Sequence, residues 1–195
     1  MKKLRKTAKG ILQETASLIE IGDPHTAGHQ KRVADLSLAI AQEMELSDEQ
    51  MATIRLAGLI HDLGKTSVPS EILGKPIKLT RLEFNLVKVH SEAGYSILKD
   101  IDFPWPIAEI VLQHHERLDG SGYPYGLKEG QILLESQIIA VADVVEAIAS
   151  HRPYRPALGV EKALEEISRN RGILYNPEVV DACLRLFRKN KFKLE

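Results

Sequence analysis

The sequence predicts an all-α fold on three observations. Apolar residues recur at three- and four-residue steps along nearly the whole chain, helix-start signals stand before most of these runs, and no alternating stretch exceeds a few residues. Leu4, Ile11, Leu12, Leu18 and Ile19 outline a first helix, and residues 1–22 are expected to form this helix or a linker, with one domain over 23–195. Asp23-Pro24 then places a capping carboxylate before a proline at the first helical position. Val33, Leu36, Ile40 and Met44 form the stripe of that second helix. Ser47 with Gln50 reads as a capping box opening a third helix that ends near Gly64. A second box, Thr80 with Glu83, opens a helix over about 80–98. Further helices are expected over about 106–117, after Pro104-Trp105-Pro106, and over about 136–150, the latter almost wholly apolar. Asn176-Pro177 caps a last one carrying Val180, Cys183, Leu184 and Phe187. Two loops rich in Gly and Pro, 64–79 and 118–130, are long for a helical bundle, and long loops in compact domains are often functional.

The 195 residues suit a single domain, and 44% hydrophobic content is ample for a core. Lys plus Arg number 26 against 27 for Asp plus Glu, a net charge of −1 that argues against nonspecific binding to a DNA or RNA duplex. One cysteine, Cys183, excludes an intrachain disulfide framework. No apolar run is long enough for a membrane span, and Gln13, Glu14 and Glu20 interrupt what would be a signal-peptide core, so the expected setting is cytoplasmic.

Six of the seven histidines fall on apolar stripes. His25 and His29 are four apart and continue the stripe through Val33, Leu36 and Ile40. His61 ends the series Met51, Ile54, Gly58. His90 lies in Glu83, Val87, His90, Gly94, Ile97, and His114 and His115 follow Ile107, Ile110 and Val111. Asp143 sits in Ile138-Ile139-Ala140-Val141-Ala142, and Asp62 follows a similarly apolar approach. A single inward histidine is commonly a hydrogen-bonded core residue. Six without a shared partner would leave many buried polar groups unsatisfied, at roughly 1–3 kcal/mol each. A shared metal centre removes that cost, since imidazole and carboxylate are natural ligands of first-row divalent ions.

His25, His29, His61, Asp62, His90, His114, His115 and Asp143 are too many ligands for one ion and suit two or three. Without thiolate, octahedral Fe or Mn fits better than structural zinc. Neighbouring ions about 3.5–4 Å apart need a bridging carboxylate, for which Asp62 is the candidate, and a bridging water acidic enough to act as hydroxide at neutral pH. Lys65 either complements a helix dipole or holds a phosphate over the metals. Arg152 and Arg155 flank Pro153-Tyr154 and suit bidentate phosphate contacts. Gly120, Gly122 and Pro124 impose a tight path after His114-His115. Tyr123 either stacks on a base or packs this loop, and His151 reads as a solvated loop residue.

His61-Asp62-Leu63-Gly64-Lys65, with His114-His115-Glu116 and Gly122-Tyr123-Pro124, resembles the HD-GYP branch of the HD-domain phosphohydrolases. The resemblance runs from about Asp23 to Phe187. It takes in Asp23-Pro24, Thr26, Gly28-His29, the Val68-Pro69 to Lys75-Pro76 loop, His90, Val141-Ala142-Asp143 and Arg152-Pro153-Tyr154-Arg155. It implies an HD-domain-like helical bundle with a bi- or trinuclear centre hydrolysing cyclic di-GMP to linear pGpG, GMP or both. His29, His61, Asp62 and Asp143 correspond to the first metal's ligands, and His90, His114 and His115 to the additional ones. For such a reaction Asp62 and Lys65 are the expected catalytic residues. Lys65, Arg152 and Arg155 are expected to offset charge on the phosphate, and Gly120, Gly122 and Tyr123 to shape the substrate's entrance.

Two positions depart from the branch's pattern. His25 stands where trinuclear members carry a glutamate, and His151 where an aspartate is usual. Other readings are an HD-superfamily phosphohydrolase acting on another nucleotide, a signalling module that binds a cyclic dinucleotide without turnover, and a helical scaffold without metal. The resemblance also implies association with a sensory or diguanylate-cyclase partner, and the first helix offers a surface for a homodimer.

Overall fold

The computed structural model describes residues 28–151, 156–189 and 192–194. The chain forms α1 (His29–Glu43), α2 (Asp48–Ile60), a 3-10 turn (Leu63–Ser67), α3 (Ser70–Leu73) and α4 (Arg81–Lys88). It continues through α5 (His90–Leu98), α6 (Ile107–Gln113), α7 (Leu134–Ala149), α8 (Val160–Arg169) and α9 (Pro177–Arg188). Among the described residues there is no strand, and two isolated bridges, Asp119 with Lys128 and Arg171 with Tyr175, tie loops together. The all-α expectation holds.

Both capping boxes form as expected: Ser47 Oγ accepts from Gln50 N–H, and Thr80 Oγ1 from Glu83 N–H. Asn176 Oδ1 accepts from the N–H groups of Glu178 and Val179, with Pro177 at the first helical position. The helix over 1–22 and the Asp23-Pro24 start lie outside the described residues. Where the description begins, Gly28 has φ 73, a left-handed value that an α-helix cannot pass through, so α1 starts at His29. The third predicted helix stops at Ile60 rather than near Gly64, and the chain tightens into the 3-10 turn.

The helix predicted over 80–98 is two helices. At Val89 the ladder changes to an i to i+3 bond, Val89 N–H to Leu86 O at 3.3 Å, and the His90 ring takes the Val87 carbonyl at 2.6 Å. The break shifts the phase of the second half. His90, Ser91, Gly94 and Leu98 are buried, whereas Ile97, expected inside, is exposed. The helix predicted over 106–117 ends at Gln113. Helix α8 is not among the predicted elements, although Val160, Ala163, Leu164 and Ile167 carry its spacing.

Helix α7 is central, with α1, α2, α6, α8 and α9 packed on it. Its Ile138, Ile139, Val141, Ala142 and Val145 are fully buried, which explains its continuously apolar sequence. Each such Ile or Val contributes roughly 1.5–3 kcal/mol. Helices α1 and α2 approach closely where Gly58 faces Ala34: a Cβ on Gly58 would lie 2.9 Å from Ala34 Cα. This packing brings the C-terminal end of α2 to the first turn of α1 and the middle of α7. No helix among the described residues is long and apolar enough to cross a membrane.

Candidate metal centre

Five segments deliver polar side chains to one buried point. His29 opens α1, His61 and Asp62 follow α2, His90 opens α5, His114 and His115 follow α6, and Asp143 lies within α7. Their ligand atoms form two groups, each within 4.8 Å of one another: His29, His61 and Asp143, and Asp62, His90, His114 and His115. Asp62 joins them. Its Oδ2 lies 3.5 Å from both His29 Nε2 and His61 Nε2, while its Oδ1 lies 3.6 Å from His90 Nε2. His29 Nε2 is 3.4 Å from Asp143 Oδ1, and His90 Nε2 is 3.3 Å from His114 Nε2. The structure thus brings together His29, His61, Asp62, His90, His114, His115 and Asp143. His25, Arg152 and Arg155 lie outside the described residues.

One local device aims three of the rings. His61 Nδ1 is 2.8 Å from Gly58 O, His90 Nδ1 2.6 Å from Val87 O, and His114 Nδ1 2.5 Å from Val111 O. In each case the acceptor is the carbonyl three residues earlier, in the last turn of a helix, where carbonyls lack intrahelical partners. A carbonyl can only accept, so each Nδ1 donates its hydrogen and each Nε2 is left with a lone pair facing the cluster. His61 Nε2 is buried and has no hydrogen-bond partner among the described residues. A divalent cation is the partner such an atom lacks. The donor set, imidazole nitrogens with carboxylate oxygens, fits a pair of first-row ions with Asp62 shared between them.

Protonation states favour the same use. Burial holds the His61, His90, His114 and His115 rings below the ordinary imidazole range, and therefore neutral. Burial opposes charge on Asp62, but Lys65, His61 and His29 outweigh it and keep the carboxyl well below its usual range. Asp143 is likewise ionised, because its hydrogen bond to His29 overcomes its burial. His29 differs. Burial lowers it, yet hydrogen bonds with Asp143, Asp62 and Glu146 prevail and push its pKa up to about 10.

Around the cluster, Lys65 Nζ sits 2.7 Å from Asp62 Oδ2, and Gln30 Nε2 donates to the same oxygen at 3.2 Å. Gly120 adopts φ 81, and a Cβ on Gly122 would lie 2.4 Å from Glu116 Cα, so the loop presses directly on the end of the His114-His115 segment. Tyr123 stacks on His115, with ring centroids 4.6 Å apart at 28°, and Tyr123-Pro124 is cis. His151 is exposed, as expected of a solvated loop residue.

Two buried carboxylates carry roles that the sequence did not assign, Glu116 having stood only as part of the His114-His115-Glu116 motif. Glu116 accepts the N–H groups of Tyr125 at 2.8 Å and Leu127 at 3.0 Å, holding the loop. Glu146 reaches His29 Nδ1 at 2.5 Å. Its signal is the spacing of three from Asp143 on an apolar helix.

The HD domain family matches residues 14–179. The chain is 44% identical over 178 residues, 90% of its length and 48% of the relative's, to the cyclic di-GMP phosphodiesterase of Thermotoga maritima. It is 40% identical over 187 residues, 95% of its length and 50% of the relative's, to the cyclic di-GMP phosphodiesterase response regulator RpfG of Xanthomonas campestris. It spans about half the length of these relatives. The fold is also that of the crystal structure of a cyclic GMP-AMP specific phosphodiesterase in V. cholerae, at TM-score 0.68 and 17% identity, covering 92% of this chain and 49% of that one. The chain belongs to the HD-domain family, and within it to the HD-GYP branch.

Proposed function

We propose that this chain is a metal-dependent phosphodiesterase that hydrolyses cyclic di-GMP to linear pGpG, GMP or both. The observation that carries the reading is the Asp62 carboxylate, with one oxygen toward His29 and His61 and the other toward His90. Two such half-sites sharing one carboxylate suit a pair of divalent ions, Fe or Mn by donor type. When bound, an ion pair supplies Lewis acidity and a water acidified enough to attack phosphorus at neutral pH.

The chain's own residues do the rest. Gly58, Val87 and Val111 carbonyls fix three imidazoles with Nε2 inward. Lys65, at the edge of the cluster, offsets negative charge on a phosphate oxygen, and Arg152 and Arg155 serve the same phosphate. The loop carrying Gly120, Gly122 and Tyr123 forms the mouth and is held against the cluster through His115. No side-chain nucleophile is needed. The one cysteine, Cys183, is buried, which pushes its thiol up to about 12 and leaves it inert at neutral pH. The reading places the enzyme in the cytoplasm and allows a third ion at His25.

The test is turnover by anaerobically purified protein loaded with Fe or Mn, against cyclic di-GMP, cyclic GMP-AMP, cyclic di-AMP, linear pGpG and nucleoside monophosphates. The expected result is ring opening of cyclic di-GMP that Asp62→Ala abolishes. Faster turnover of a mononucleotide would assign another HD-superfamily reaction. Tight binding of cyclic di-GMP without product at full metal occupancy would assign a sensor.

A further inference from the structure

The four ligand histidines whose Nδ1 partners are described are not held alike. His61, His90 and His114 each give Nδ1–H to a backbone carbonyl three residues back, a support that no side-chain substitution removes. His29 is the first residue of α1, directly after a left-handed Gly28. Its Nδ1 is held instead by Glu146 Oε2 at 2.5 Å, across 117 residues of chain.

Glu146 is itself fixed. It is fully buried, and its other oxygen, Oε1, accepts Arg32 Nε at 2.9 Å, Arg32 Nη2 at 2.7 Å and Ser150 Oγ at 2.8 Å. Arg32 lies three residues beyond His29 on α1, and Glu146 three residues beyond Asp143 on α7, so the contact pins together the two helices that give the first half-site its His29 and Asp143. A buried carboxylate with one oxygen on a guanidinium and the other on an imidazole has a clear chemical use. It fixes the ring with Nδ1–H outward, leaves Nε2 for a metal, and makes that nitrogen a stronger donor.

We infer that Glu146 is the positioning residue of the first half-site: through His29 Nδ1 it sets the affinity of that position, while the position formed by Asp62, His90, His114 and His115, where backbone carbonyls hold His90 and His114, does not depend on it. The inference rests on the two-ion reading above. It has a chemical consequence, since one ion of the pair becomes separately removable by a change that replaces no metal ligand.

The experiment is a metal titration of full-length wild type and Glu146→Gln, starting from chelated protein, with Mn binding followed by calorimetry and occupancy by elemental analysis. Gln keeps the shape and can still accept from Arg32, but loses the charge. The expected result is two sites in wild type. In Glu146→Gln one site should be weakened about 10–100-fold and the other unchanged within about threefold, with Glu146→Asp recovering part of the loss. Equal weakening of both sites, or of neither, overturns the inference. Wild type that binds one ion or none instead overturns the two-ion reading, so the two failures are separable. Should Glu146→Gln fail to fold, ring-nitrogen NMR of wild type loaded with diamagnetic Zn, assigned with His29→Gln, decides the matter. A protonated, strongly deshielded His29 Nδ1 supports the assignment, and an unprotonated Nδ1 overturns it.

Discussion

Asp62 turns one carboxylate oxygen to His90, with Oδ1 3.6 Å from Nε2, and keeps the other for the opposite side of the cluster. A residue that belongs to both half-sites cannot be replaced without affecting both. Asp62→Asn keeps the volume but replaces the anionic carboxylate and its two acceptor oxygens by a neutral amide with one oxygen and an NH2. Turnover of cyclic di-GMP is expected to fall at least about 100-fold, since even changes outside the ligand set cost 10–100-fold. Steady-state kinetics at saturating Mn checks this.

Lys65 Nζ meets the cluster at Asp62 Oδ2, 2.7 Å away, and is not itself among the ligand groups. Lys65→Met should therefore leave two ions bound while kcat falls about 100-fold, the scale of removing one group that stabilises transition-state charge. Elemental analysis beside kinetics separates the two effects. Loss of metal in this variant would show Lys65 to be structural.

Gly64 is where the 3-10 turn meets α5. A Cβ there would lie 1.8 Å from His90 O and 2.5 Å from Gly94 N, both backbone atoms that cannot yield cheaply. Gly64→Ala should cost about 3 kcal/mol and move His90, weakening the half-site with His114 and His115. Denaturant melts and Mn titration measure both effects.

Glu116 answers two N–H groups, of Tyr125 and Leu127. In Glu116→Gln an NH2 must face one of these donors, at a cost of about 1–3 kcal/mol. Hydrogen exchange at those two amides should accelerate while the amides of α7 stay protected. Uniform acceleration across the chain would contradict a local role for Glu116.

For the metal-free protein, opposite shifts at histidines set the pH dependence of stability. Burial holds His61, His90, His114 and His115 below 6.5, so below that pH unfolding takes up protons at these rings. Stability therefore falls on acidification, by up to about 1.4 kcal/mol per pH unit for each proton. At His29 burial is outweighed by hydrogen bonds to carboxylates, and the folded pKa rises from 6.5 to about 10. Its contribution is fully present below 6.5 and is lost as pH rises through about 10. Thermal melts of chelated protein should trace a dome with its summit near neutrality. A steady rise from pH 5 to 9.5 would contradict these assignments.

The convergence of the cluster was legible because its members are polar residues on apolar stripes, at spacings that leave one direction for them to point. His61, His90 and Asp143 show this directly. The break at Val89 was not legible, since neither Pro nor Gly marks it; it arises where the His90 ring, turned toward the other ligands, takes the Val87 carbonyl three residues back. Glu146 escaped notice for a related reason. Periodicity within α7 says that a carboxylate is buried but not which partner satisfies it, and that partner comes from α1, more than a hundred residues away. The spacing of α8, by contrast, was present in Val160, Ala163, Leu164 and Ile167.

The measurement closest to the central claim is elemental analysis of anaerobically purified protein, expressed as metal per chain. Two or more Fe or Mn ions per chain, falling to one or fewer in Asp62→Ala, is the predicted result. A stoichiometry of one or none in fully folded wild-type protein, even after Mn loading, would contradict a carboxylate shared between two cations.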